Sequence, residues 1–149
     1  MVTNASRDPQ LLTQKLYTAS ATAITGREGL VKSSDGNLEV RLTAPRALGG
    51  PGGTGTNPEQ LFAAGFAACF GSAIGHVARL NKVQTGPVSV TTNVSIGPAG
   101  RGFGLEVELV VDLPEMARDQ AENLVKAAHE VCPYSNATRG NIVVDVRVA

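Results

Sequence analysis

NPEQLFAAGFAACFGSAIGHVARLNKV runs from Asn57 to Val83, and no charged residue falls between Leu61 and Ala78 when His76 is counted neutral. Asn57 suits an N-cap, Pro58 fits the first helical position, and Gln60 stands three residues after the cap, as in a capping box. Arg79 and Lys82 suit a C-terminal turn, where cations meet the negative end of the dipole. The spacing predicts one long helix. Its apolar residues form no stripe; they go all the way round, so the helix needs cover on every side. Cys69, one of two cysteines, sits at its middle. Leu61–Ala78 is near the minimum length for a membrane span, but it is mostly Ala and Gly, with Ser72 and His76 inside. The core helix of a soluble protein is the better reading.

Upstream, residues 1–14 read as a loose arm. From Lys15 the pattern has period two, with Leu16, Thr18, Ser20, Thr22 and Ile24 on one side and Tyr17, Ala19, Ala21 and Ala23 on the other. That predicts a strand. Gly26–Gly29 (GREG) is a turn. Leu30–Ser33 and Asn37–Leu42 flank Ser34-Asp35-Gly36, an Asp-Gly hairpin signal. Ala44–Thr56 (APRALGGPGGTGT) holds too much Gly and Pro for a regular element and reads as a loop folded over something.

Downstream, Val88–Ile96 and Phe103–Asp112 form a strand pair turning at Gly97–Gly100. A second helix follows, with Asp112 as cap, Pro114 in the first turn and Glu115 completing a box. Leu113, Met116, Ala117, Leu124, Ala128 and Val131 make its apolar stripe; Arg118, Asp119, Glu122, Lys126 and Glu130 face out. Pro133 ends it and leaves Cys132 at its C-terminal edge. Tyr134–Arg139 is a short helical turn or loop, and Asn141–Val148 a last strand. The order β-β-β-α-β-β-α-β predicts a single α+β domain over residues 1–149. A sheet alone covers such a helix poorly, and Gly71 and Gly75 mark a close-packing face. A homodimer with the helix at or near its interface is the expectation.

A net charge of zero gives no electrostatic case for nucleic acid or an anionic membrane. Aromatic residues at 4% and no Trp also argue against base-stacking platforms. The N-terminal MVTNASRDPQ lacks an apolar signal core, so a cytoplasmic protein is expected. There a lasting structural disulfide is disfavoured, and two cysteines point to reactive chemistry or to plain core thiols.

The two sulfurs stand in different surroundings. Cys132 ends a helix, where the dipole opposes a thiolate, so it suits a resolving thiol better than an attacking one. Cys69 lies in apolar company, where burial raises its pKa, and to act as a nucleophile it needs a cation from elsewhere. Arg27, in the GREG turn, is a candidate, although an exposed turn arginine is the plain alternative. Glu59 is the acid at the helix start, where the dipole by itself favours it. In a straight helix Glu59 and Cys69 are ~15 Å apart. A shared site then needs a bend near Gly65 or a Glu59 from a second subunit. A zinc site of Cys69, His76, His129 and Cys132 has the right residue types, but Cys69 and His76 are ~10 Å apart along the helix. The structural alternatives are an interior hydrogen-bonded His76 and a solvated His129.

TNPEQLFAAGFAACF (Thr56–Phe70) with VCPYSNATRGN (Val131–Asn141) resembles the organic hydroperoxide resistance branch of the family of osmotically inducible protein C. GREG with Arg27 and the loop APRALGGPGGTGTNPEQ match as well, and the resemblance runs from about Leu16 to the C-terminus. Phe66 stands where Tyr is expected, and Glu28 where Asp is common. The resemblance implies an OsmC-like fold: two antiparallel sheet portions packed around long buried helices in an intertwined homodimer. It implies a peroxidase in which Cys69 is peroxidatic, Cys132 resolving, and Arg27 with Glu59 activates Cys69. It also implies organic hydroperoxides as substrates and lipoamide or a lipoylated protein as reductant, with no cofactor and no metal. Phe62, Phe66 and Phe70 would line an apolar substrate pocket, against the plainer reading of core packing. A non-catalytic carrier of apolar ligands, a peroxidase of the sister OsmC branch and a peroxide-sensing regulator are the competing readings. The missing basic reading helix counts against the last.

Overall fold

The computed structural model describes residues 8–149, in two compact units, one ending at Leu61 and the other running from Phe62 to Ala149. The expected arm lies outside the described residues up to position 7; from Asp8 to Gln14 the chain has no regular structure.

The first unit is an antiparallel meander of β1 (Ala21–Ile24), β2 (Leu30–Ser33) and β3 (Glu39–Arg41), in that order. Asp35 builds the β2–β3 turn as its type predicts: its carboxylate accepts from Ser33 Oγ at 2.6 Å and from the Asn37 amide at 3.0 Å, and Gly36 takes φ 76°. The strand foreseen from Lys15 starts only at Ala21. The reason is partner length. Ala21 pairs with Ser33, the last residue of β2, so the alternating residues before it have no strand beside them. Leu16 and Tyr17 are consequently exposed.

Between β1 and β2 the GREG turn closes as a single 3₁₀ turn, Gly26–Glu28, with Thr25 before it and Gly26 at its start both left-handed. Gly29 is obligatory there, since a Cβ on it would stand 1.7 Å from the Ile24 carbonyl oxygen. Gly29→Ala is therefore expected to destabilise by about 1–3 kcal/mol, the usual cost of overpacking. A lowered urea midpoint at unchanged slope checks it.

Helix α1 spans Pro58–Leu80. Asn57 Oδ1 accepts from the Gln60 amide at 2.9 Å, as a cap should, but Gln60 does not complete the box; its side chain meets Thr56 Oγ1 instead. At the far end Lys82, left-handed at φ 56°, allows Val83 N–H to reach the Ala78 carbonyl and Lys82 N–H that of Arg79. That is a Schellman closure without glycine.

The second unit holds β4 (Ser89–Ala99), β5 (Gly102–Asp112) and β6 (Val144–Val148), ordered β4-β5-β6, with helices α2 (Arg118–Val131) and α3 (Pro133–Thr138) between β5 and β6. β4 and β5 are antiparallel, whereas β6 runs parallel to β5, so this sheet is mixed rather than antiparallel throughout. The helical crossover from β5 to β6 is what a parallel pairing requires. Two more corrections follow from strand length. The hairpin turns at Gly100-Arg101, not Gly97–Gly100, because Pro98 sits on edge strand β4, where a missing N–H is tolerated. β5 holds Asp112 in the ladder opposite Ser89, so Asp112 does not cap a helix. A turn at Leu113–Met116 intervenes, and α2 begins six residues after Asp112, behind Ala117.

The core of this unit packs Phe66, Phe70, Ile74 and Val77 of α1 against Val107, Leu109 and Val111 of β5 and Ala121, Leu124, Val125 and Ala128 of α2. Val131, expected in that stripe, is exposed. By length and composition α1 could cross a membrane, and its Phe66–Val77 face packs into this core. Within one chain the helix is not covered all round: Ala64, Ala68, Ser72 and His76, four residues apart, are exposed. One three-stranded sheet and α2 cover a single side.

Candidate active site

In the second unit the two sulfurs meet. Cys69, half-buried on α1, lies 3.7 Å from the Sγ of Cys132, which is fully buried. Both are free thiols. The meeting follows from how α2 ends. The residue before a proline is pushed to extended backbone, and Cys132, before Pro133, has φ −64° and ψ 123°. It therefore closes α2 and opens α3 at once: its amide donates to the Ala128 carbonyl, and its carbonyl accepts from the Asn136 amide.

Burial pushes the Cys69 thiol above its ordinary pKa, and the neighbouring Cys132 adds to that; the Tyr134 backbone N–H acts the other way. Burial thus disfavours the thiolate of Cys69, as its apolar company predicts.

In the first unit Arg27 and Glu59 form a two-pronged pair, Nη1 to Oε2 at 2.8 Å and Nη2 to Oε1 at 2.6 Å. The GREG turn presents Arg27, and the first turn of α1 presents Glu59. The hydrogen bonds from Arg27 hold the Glu59 carboxyl below its ordinary pKa against a smaller opposing effect of burial, and Glu59 raises the guanidinium in turn. Glu59 is largely buried while Arg27 is about a third exposed, so solvent screens the pair in part. A carboxyl lowered in the folded state stabilises above its ordinary pKa, and that contribution fades as pH falls through the lowered value. Fork-to-fork geometry fixes the guanidinium plane, which a lysine could not reproduce. Arg27 is thus not a plain exposed turn arginine.

The aromatic candidates divide. Phe66 and Phe70 are fully buried, and Phe70 packs on His129 with ring centres 6.3 Å apart. Phe62 is only half-buried and meets Phe66 edge-on at 6.1 Å. Tyr134 completes the cluster, 5.5 Å from Phe66 and 6.1 Å from Phe62. Its ring leans on Gly65, where a Cβ would stand 2.8 Å from the hydroxyl. The close approach on α1 is therefore at Gly65. Gly71 and Gly75, foreseen in that role, have only ordinary contacts within the chain. Tyr134 was missed in the sequence; its signal is its place two residues after Cys132, inside a Cys-Pro turn.

The histidines exchange their expected roles. His76 is exposed, while His129 is partly buried and bonded through Nδ1 to Ser135 Oγ at 2.8 Å. Among the described residues no group of three His, Cys, Asp or Glu side chains is placed to hold a metal ion.

The family model for OsmC-like protein matches residues 50–147. The organic hydroperoxide resistance protein of Xanthomonas axonopodis pv. citri is 55% identical over 135 residues, 90% of this chain and 95% of that protein. OhrB of Bacillus subtilis is 47% identical over 138 residues, 89% and 98% of the two chains. Among solved structures, an organic hydroperoxide resistance protein from Legionella pneumophila superposes with a TM-score of 0.88 at 51% identity, covering 91% of this chain and 99% of its own. One from Vibrio cholerae, with captopril bound in one of the active sites, gives 0.86 at 52% identity, covering 91% and 94%. With more than half its length matched by the family model and such relatives along nearly all of it, the chain belongs to the OsmC-like family, among the organic hydroperoxide resistance proteins.

Proposed function

We propose that the protein is a thiol peroxidase that reduces organic hydroperoxides to alcohols, with Cys69 as the attacking sulfur and Cys132 as the resolving one. The observation that carries this reading is the 3.7 Å approach of two free thiols, one half-exposed on α1 and one buried in the elbow between α2 and α3.

The Cys69 thiolate attacks the outer oxygen of ROOH. The O–O bond breaks, an S–O bond forms, and the alkoxide leaves with a proton as alcohol. Cys132 then attacks the sulfenic sulfur; the S–O bond breaks, the disulfide forms, and hydroxide leaves as water. A dithiol such as dihydrolipoamide or a lipoylated protein reduces the disulfide by two exchanges and becomes the cyclic disulfide. Arg27, oriented by Glu59, supplies the positive charge that makes Cys69 a thiolate and steadies charge on the leaving oxygen. The half-exposed Phe62 and Tyr134 favour a carbon-bearing hydroperoxide over hydrogen peroxide. The working compartment is the cytosol.

Mass spectrometry of the protein treated with one equivalent of cumene hydroperoxide tests the reading. A Cys69–Cys132 bond, reopened by dihydrolipoamide, is expected; two thiols left intact would instead favour an apolar-ligand carrier. Cys132→Ser is expected to keep one fast oxidation but to stop cycling with the dithiol, and Cys69 should then proceed to sulfinic acid. Continued cycling in that variant would remove Cys132 from the mechanism.

The protein works as a homodimer. In support, the exposed Ala64–Ala68–Ser72 line of α1 lets another backbone come close, and Leu16, Tyr17 and Ile24 of the first unit are exposed. Light scattering at micromolar concentration is expected to give twice the chain mass; a monomer refutes this.

A further inference from the structure

We propose that Arg139, with the His129–Ser135 pair, is the positioning device that holds the resolving sulfur at striking distance. It acts on the second step only.

The argument starts from the elbow at Cys132. The two sulfurs stand 3.7 Å apart, and a disulfide is about 2.05 Å long, so the elbow closes by less than 2 Å when the bond forms. An approach that short is sensitive to the angle between α2 and α3, because Cys132 is the single residue between them.

Two independent ties set that angle. His129, in the last turn of α2, bonds Ser135 of α3 at 2.8 Å, and Ser135 is fully buried. Arg139, just past α3, donates one guanidinium nitrogen to the His129 carbonyl and another to Asn136 Oδ1. The first of these acceptors is one of the carbonyls that a helix end leaves without an intrahelical donor. His129 also packs on Phe70, the residue after Cys69. The ties therefore reference the elbow to the stretch of α1 that carries the other sulfur. None of these groups has a polar contact with Cys69, so peroxide attack does not draw on them.

This inference rests on the peroxidase reading, and the two can fail separately. The experiment follows one peroxide turnover by rapid quench, with a sulfenic-acid trap and mass spectrometry of the disulfide. Ser135→Ala and Arg139→Ala are expected to form Cys69 sulfenic acid within twofold of the wild-type rate. Disulfide formation is expected to slow by about tenfold or more, since misplacement by about 1 Å can cost a hundredfold. Sulfinic acid at Cys69 should rise at high peroxide. Arg139→Lys, which keeps one of the two donations, should recover part of the rate. A variant that closes the disulfide at the wild-type rate overturns the proposal, as does one that slows both steps equally. Should Arg139→Ala fail to fold, the Ser135→Ala and Arg139→Lys comparison decides alone. A wild-type protein that forms no Cys69–Cys132 bond overturns the peroxidase reading and this inference with it.

Discussion

Cys69→Ser is expected to abolish hydroperoxide reduction, leaving less than about a thousandth of the wild-type rate, as removal of a covalent nucleophile does. The chemistry leaves no substitute. Cys132 is fully buried, where an incoming hydroperoxide does not reach it. A serine hydroxyl has far too high a pKa to attack peroxide oxygen. Fold should be unaffected, since the change from sulfur to oxygen at a half-exposed site is nearly isosteric. The measurement is consumption of tert-butyl hydroperoxide with dihydrolipoamide, alongside a thermal melt. Retained turnover with an unchanged melt would remove Cys69 from its role.

Arg27→Ala carries the second large effect. Burial holds Cys69 above its ordinary pKa, and in the proposed mechanism Arg27 is the cation that makes it a thiolate near neutral pH. Loss of that cation is expected to slow peroxide attack by about a hundredfold or more, the scale of removing one charge-stabilising donor. The sign of the pH effect is fixed. Without Arg27 the alkylation profile of Cys69 by iodoacetamide should move to higher pH. Arg27→Lys should recover the charge but not the two-pronged pairing with Glu59, and should rank between alanine and wild type. An unshifted profile would refute the activation scheme. Coexpression of Arg27→Ala with Cys69→Ser then reports the origin of the cation. In the proposed homodimer, a mixed dimer regains one working site only when each sulfur uses the arginine of the other subunit.

Much of this was legible in residue types. The N-cap Asn57, the Asp-Gly turn at Asp35 and the elbow before Pro133 are local chemistry, and each formed as its residues demand. The misreadings share a cause. Asp112 and Glu115 form a valid capping pattern, but the strand ladder held Asp112 first. Gly97-Pro98 looks like a turn, yet an edge strand absorbs it. Lys15–Ser20 alternates as a strand, but β2 ends before it can be paired. In each case a partner outside the local window decided.

The sequence by itself determined most of the elements, the apolar α1 and the place of Cys132 at the end of a helix, because capping and periodicity act within a few residues. It determined the family as well, through two long motifs in order. Only the tertiary structure decided that Cys69 and Cys132 come within 3.7 Å, that Arg27 and Glu59 lock by two hydrogen bonds, and that His129 turns inward to Ser135. Those are contacts between residues distant in the chain. They are set by how α2 and α3 cross from β5 to β6 and by where the GREG turn meets the start of α1, and no local pattern encodes them.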